Sequence, residues 1–280
     1  MTPSDCKAIA QPHSNLLRQI FKVLALLVSF FRVLYNSRME TITSLQNSKV
    51  KKWTALHKKK ERDLTGLFLI EGEHLIQEAL KEGIVETIIT DTSSPFDFEH
   101  TVLVTDSIMK KLSENVSQVH LIAVCHKLDQ QVKDMKRVIL LDGVQDPGNL
   151  GTLIRTAVSF SFDCVYVSEE TVDLYNDKTI RSTQGALFHI PVIRCNLNDV
   201  VKELQHDHFT IVATSLEESK TISEIKPVSR MGFIFGNEGQ GVSKQLQEAA
   251  NERLRIEMHG FESLNVAVAG GIVMYEYRGK

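Results

Sequence analysis

Short apolar runs alternate with helix-period segments along most of this chain. Residues 47–62 carry a helical pattern with a basic face. Residues 67–70 predict a strand, Gly72 a turn, and residues 73–80 a helix stopped at Gly83. Residues 86–90 and 101–105 predict further strands, Asp106 an N-cap for a helix through Leu112, and residues 119–125 the strand that closes a small α/β unit. Polar, charged residues 127–136 read as a linker. Beyond them, apolar runs at 137–141, 164–167, 187–192, 210–213, 232–235 and 254–256 alternate with helical segments. That alternation predicts a mostly parallel sheet covered on both faces. The last helix, 264–277, is apolar nearly all round and contains Ala267, Ala269, Gly270 and Gly271. Such a helix must be covered on every side, within the chain or by a second subunit.

A length of 280 residues allows two domains. The formal net charge of −3 points to no particular partner, but its distribution does. Residues 1–62 hold 12 Lys and Arg against 3 Asp and Glu, which leaves 20 against 32 for the remainder. A basic module of this kind faces something anionic or is a solvated charge run. The four cysteines, Cys6, Cys125, Cys164 and Cys195, form no Cys-x-x-Cys pair, so metal and disulfide readings carry little weight. Residues 16–35 are rich in Leu, Val and Phe, with an unbroken apolar core of only 23–31 between Lys22 and Arg32. A spanning helix needs roughly 20 apolar residues. The expectation is a translation start at Met39, with a membrane-associated helix as the alternative and otherwise no membrane partner.

Three apolar runs in the second half end in Gly, Asn and Ser, the places where open α/β sheets bind ligands. In the first, Asp146, Pro147, Gly148 and Asn149 form a turn before a helix. Asn149 reads as a helix cap or a site amide, and Arg155 as a surface residue or an anion ligand. In the second, Gly236 to Gly241 form a loop around Asn237 and Glu238. No Lys-Ser/Thr follows it, which argues against a P-loop, and no Gly-x-Gly-x-x-Gly opens an early βαβ unit. A nucleotide-like ligand without phosphate, held by backbone groups, fits this loop, as does a tight turn without ligand. In the third, Ser263 and Asn265 enter the last helix as caps or as ligands for a ribose hydroxyl.

Together these segments resemble the signature motifs of the SpoU (TrmH-like) RNA 2′-O-ribose methyltransferases of the SPOUT superfamily. Asn149 and Arg155 match the first motif. Gly236, Asn237, Glu238, Gly239 and Gly241 match the second, and Ile256, Met258, Gly260, Ser263, Leu264 and Asn265 the third. Glu257 departs from the Pro that many relatives carry. Residues 49–90 resemble the family's L30e-like substrate-binding domain, and residues 1–38 resemble nothing in the family. The resemblance implies an α/β fold with an L30e-like domain at 39–126, a linker at 127–136 and a parallel-sheet methyltransferase domain with a deep trefoil knot at 137–280. It implies a cytoplasmic homodimer that uses S-adenosylmethionine and no metal. RNA is the partner, ribosomal RNA first and transfer RNA second.

It also implies roles for individual residues. Thr214, Ser215, Leu216, Gly236, Ile256 and Leu264 would hold the cofactor. Asn149 would hold Arg155, and Ser263 and Asn265 would orient the hydroxyl. Glu238 would organise its loop or contacts with the partner subunit. Arg155 would act as base or, preferably, as phosphate ligand, because a guanidinium holds its proton tightly. Lys49, Lys51, Lys52, Lys58, Lys59, Lys60 and Arg62 would dock RNA. The rival readings are a non-catalytic RNA-binding protein of the same fold, and a conventional Rossmann methyltransferase, whose Gly-rich loop residues 142–145 lack.

Overall fold

The computed structural model describes residues 39–115, 117–128, 131–258 and 263–279. The apolar segment 16–35 and Gly260 of the third motif lie outside the described residues. Among the described residues no helix is long and apolar enough to cross a membrane.

Two sheets organise the chain. The first contains β1 (Glu40–Ile42), β2 (Leu67–Glu71), β3 (Val85–Thr90), β4 (Thr101–Val104) and β5 (Leu121–His126), in the order β1-β4-β3-β5-β2. β1 and β3 run parallel to β4, while β5 is antiparallel to both β2 and β3. The basic stretch is two helices, α1 (Ser48–Ala55) and α2 (Lys59–Thr65), where the sequence pattern suggested one. α3 (Glu73–Lys81) and α4 (Asp106–Leu112) follow. Thr105, not Asp106, is the N-cap of α4, and Asp106 occupies its first turn. Val50 and Trp53 of α1 pack with Ile108, Met109 and Leu112 of α4 on one face of this sheet.

The second sheet has seven strands, all parallel, in the order β10-β12-β9-β11-β6-β7-β8. They are β6 (Arg137–Leu141), β7 (Cys164–Val167), β8 (Val192–Arg194), β9 (Thr210–Thr214), β10 (Lys220–Thr221), β11 (Met231–Phe235) and β12 (Glu252–Arg255). The run 187–192 is largely not a strand. Its first residues form a 3-10 turn, Ala186–Phe188, and β8 begins only at Val192. Leu187 and Phe188 are apolar because they are buried under the helices, and a short apolar run cannot distinguish that from a strand.

Side chains alternate along each strand, and both faces are covered. Val138, Leu140 and Ile234 face α7 (Leu197–His206) and α8 (Lys244–Ala249). Ile139, Leu141, Phe233 and Phe235 face α5 (Pro147–Ser159), α6 (Asp177–Thr183) and α9 (Val266–Tyr277). The same apolar cluster continues into Phe68, Ile70, Leu75 and Ile76 of the first sheet and α3, so one core joins the two units. Small residues set the helix spacing. A Cβ on Gly151 of α5 would lie 2.4 Å from Ser182 Cβ, and one on Gly270 of α9 would lie 2.3 Å from Leu153 Cδ2. The segment joining β12 to α9, which a knot would thread, includes residues 259–262, outside the described residues.

Candidate active site

Loops leaving the carboxyl ends of β6, β11 and β12 meet on one side of the second sheet. Gly236 ends β11 where the chain doubles back. A Cβ there would sit 2.0 Å from the Gly241 carbonyl carbon, so only glycine lets this loop close. Asn237 then fixes the turn. Its backbone exchanges hydrogen bonds with Gly241 at 3.0 and 2.9 Å, and its Oδ1 accepts from Gly239 N and Gln240 N. Its Nδ2 donates at 2.8 Å to the Gly143 carbonyl, tying the second loop to the first. Sequence reasoning passed over this role, although Asn ahead of Gly in a loop is the usual signal for a side chain that closes its own turn.

Glu238 reaches from the loop tip to the turn before α5. Its carboxylate accepts from Gln145 N and Asp146 N, both at 3.1 Å, and from Asn149 Nδ2 at 2.9 Å. Burial pushes its carboxyl up, but the hydrogen bonds, Asn149's foremost, outweigh burial and hold it below the usual carboxylate range. Asn149 Oδ1 in turn accepts from Asn265 Nδ2 at 3.0 Å. Asn265 caps α9, its Oδ1 accepting from Ala267 N and Val268 N. Both amides therefore have a fixed orientation, set by a carboxylate at one end and a helix N-terminus at the other. Asp146, not Asn149, caps α5: its Oδ1 accepts from Asn149 N at 2.9 Å. That hydrogen bond, aided by the Lys178 ammonium, holds the Asp146 carboxyl below its ordinary range.

The loops enclose a cavity of about 530 Å³, within the usual range for a small-molecule site. Thr214, Ser215, Leu216, Gly236, Ile256 and Leu264 line it, as do Glu238, Ser263 and Asn265. Thr214 Oγ1 donates to the Ile234 carbonyl and Ser215 Oγ to the Glu217 carbonyl, so these hydroxyls hold the backbone in shape. Arg255 is spent on the Ser219 carbonyl. The remaining charges on the wall are Glu217 and Glu238, and no cationic clamp for phosphate is present among the described residues. Such a wall fits a ligand that is apolar in part, carries positive charge and lacks phosphate, as S-adenosylmethionine does. A larger cleft, about 1240 Å³, lies across the 237–241 loop. Its wall carries six acidic residues, Asp142, Glu169, Glu170, Glu217, Glu218 and Glu248, against Lys244 and Arg253, an excess that repels a polyanion, so size alone does not choose the site. Among the described residues no group of His, Cys, Asp or Glu could hold a metal ion.

Two expectations need correction. Within one chain, Asn149 does not hold Arg155. Six helical residues separate them, a turn of about 240° beyond one full revolution and about 9 Å of rise, so they face different ways. Arg155 sits on the exposed face of α5 with Thr152 and Ser159 and makes no ion pair among the described residues. It is not part of this cavity's wall within one chain. Arg62 is not available to RNA. It is 6% exposed, donates to the Leu56 and His57 carbonyls at 2.7 and 2.8 Å, and pairs with Asp173. A Lys/Arg count cannot separate a surface cation from one folded inward. Lys51, Lys52, Lys58, Lys59 and Lys60 are exposed and make no ion pair among the described residues, whereas Lys49 pairs with Glu40.

Comparison with known proteins agrees with this geometry. Residues 136–275 match the SpoU rRNA Methylase family, and residues 47–123 match the MRM3-like substrate binding domain. Over 248 residues the chain is 42% identical to RlmP, the 23S rRNA (guanosine(2553)-2′-O)-methyltransferase of Bacillus subtilis, covering 86% of this chain and 100% of that one. An rRNA methyltransferase from Sinorhizobium meliloti shares the fold at a TM-score of 0.77 with 29% identity, over 86% of this chain and 98% of that one. An AdoMet-bound rRNA methyltransferase structure from the same organism gives 0.76, with the same identity and coverage. Matched across half its length by the family and across 86% by a relative that it spans completely, this chain belongs to the SpoU rRNA methylase family and is a methyltransferase.

Proposed function

We propose that the protein transfers the methyl group of S-adenosylmethionine to a ribose 2′-hydroxyl in ribosomal RNA, 23S rRNA first among candidates because the 42%-identical relative is named for that substrate. The observation that carries this reading is the hydrogen-bonded series Glu238–Asn149–Asn265 at the mouth of a cavity without a phosphate clamp. Residues 39–126 would bind substrate and 137–280 would carry the chemistry, in the cytoplasm.

Bound in the cavity, S-adenosylmethionine supplies an electrophilic methyl group. The chain supplies placement, which accounts for much of the rate in an in-line transfer. Thr214 to Leu216, Gly236, Ile256 and Leu264 hold the donor. Ser263 and Asn265, on the same wall, orient the ribose hydroxyl, and Glu238 and Asn149 hold Asn265 in place. Arg155 grips the phosphate beside the target ribose and stabilises negative charge developing on the 2′-oxygen as its proton passes to solvent; that oxygen takes the methyl group and S-adenosylhomocysteine leaves.

Arg155 reaches a cavity only if a second copy presents it. Val268, Ile272 and Tyr275 are 52%, 39% and 54% exposed, at spacings of four and three, the signature of one helix face. That face lies on α9, which packs on α5, the helix that carries Arg155. A homodimer formed through α5 and α9 covers the apolar stripe and brings Arg155 to the partner's cavity. Incubating 23S rRNA with labelled S-adenosylmethionine tests the activity: label recovered as a 2′-O-methyl nucleotide supports it, and label on a base or on no RNA overturns it.

A further inference from the structure

The substrate unit is not loosely tethered. The β2 side of its sheet shares one apolar core with the catalytic unit, and the Phe68 ring packs on that of Tyr175 at 4.6 Å between centroids, the planes tilted by 48°. Around that core, polar side chains cross the boundary. Arg62 pairs with Asp173, Arg181 donates to Asn115, and His189 meets Glu78 at 2.9 Å. Domains move relative to one another unless their interface is large and apolar, and this one is apolar at its centre.

Arg62 holds the key position. It lies on α2 among the exposed lysines. Its guanidinium holds the turn between α1 and α2 through the Leu56 and His57 carbonyls, and crosses to Asp173. Its Nε is buried without a hydrogen-bond partner among the described residues. A buried cation left partly unsatisfied is a poor source of stability, and the best-attested use of such pairs is to fix geometry. The Arg62–Asp173 pair therefore fixes the basic helices relative to the loop leading into α6, which packs on α5, the helix that carries Asn149.

We infer that Arg62 and Asp173 are positioning residues that set which nucleotide is methylated, by holding the lysine-bearing helices at a fixed distance from the transfer site. This rests on the methyltransferase reading above. RNA gripped by Lys58, Lys59 and Lys60 then presents one ribose to the cavity, and loosening the pair lets neighbouring riboses reach it.

The test uses the full chain with Asp173→Asn and, at a second tie across the same boundary, Glu78→Gln, so that one unstable variant does not decide the outcome. Methylation is mapped at single-nucleotide resolution on 23S rRNA transcripts. kcat/KM is measured on that RNA and on a short oligonucleotide bearing only the target, with cofactor affinity as the control for folding. The inference expects cofactor affinity within about twofold of wild type, methyl groups spread to adjacent nucleotides, and a loss on the long RNA of up to 10²-fold, the order expected for misplacement by about 1 Å. Activity on the short RNA should be unchanged. Variants that bind cofactor yet keep both the single target and the wild-type ratio of long to short RNA overturn the inference. Absence of RNA methylation by the wild-type protein refutes the methyltransferase reading itself and takes this inference with it.

Discussion

Asn149→Asp places a second carboxylate 2.9 Å from Glu238 Oε1, where the amide now donates. Two unit charges at that distance repel by about 1.4 kcal/mol in bulk water and by about 6 kcal/mol at an effective dielectric of 20. Glu238 is exposed at the loop tip, so the value falls toward the lower limit, about 2 kcal/mol. The lost charge-assisted hydrogen bond adds about 1.5 kcal/mol. The hydrogen bond from Asn265 survives, because a carboxylate still accepts it. Cofactor affinity, read by calorimetry at pH 7.5, should therefore fall on the order of 10²-fold. Glu238→Gln alone should cost less, about tenfold, because its amide oxygen still accepts one or two of the three N–H groups. Combining the two returns a donor to the pair, so the double variant should bind more tightly than Asn149→Asp alone, with a coupling energy of about 1–3 kcal/mol. Additive losses in the double variant would refute the view that these side chains act as one unit.

Other outcomes follow from the same geometry. Arg155→Ala should abolish methyl transfer while cofactor affinity stays within about twofold, since the role given to Arg155 is toward the RNA phosphate and not toward the methyl donor; Arg155→Lys should restore little, for want of a planar fork. Gly236→Ala forces a methyl group into the Gly241 backbone and should cost at least about 2 kcal/mol in loop closure, seen as lost cofactor binding in a folded protein. Replacing Lys58, Lys59 and Lys60 by Gln should lower the salt slope of RNA binding by about 2–3, measured by filter binding across salt concentrations. The Glu238 carboxyl lies below its ordinary value, so its stabilisation of the loop is complete above the usual carboxylate range and lost as pH falls through the lowered value. Cofactor affinity should thus hold from neutral pH to the carboxylate range and drop below it, and Glu238→Gln should remove that acid limb.

Most sheet strands and the three loops were legible because their apolar runs end abruptly in residues that suit turns and caps, whereas the run 187–192 misled and the two-residue β10 left no pattern. The helix α5 was legible in part: Leu153, Ile154, Ala157 and Val158 mark its apolar positions, but it begins at Pro147 with Asp146 as its cap, inside the stretch that reads as a turn before it. What escaped involves distant partners. β1 is three residues long and exists because it pairs with β4, some 60 residues away. The break at Leu56 to Lys58 divides a continuous helical pattern because Arg62 captures the carbonyls exposed there. Periodicity carries no trace of such a capture. The partners of Asn149 were also hidden: the motif spacing brings Asn149 and Arg155 together in sequence, while helical rotation sends Asn149 to Glu238 and Asn265.

In the proposed reaction this cavity delivers a methyl group to a sugar oxygen. Mapping 2′-O-methylation across 23S rRNA after reaction with the wild-type protein and S-adenosylmethionine, alongside Arg155→Ala, tests it most directly. The wild type should leave a 2′-O-methyl mark at one nucleotide and the variant none. A mark on a base, or an equal mark from both proteins, would contradict it.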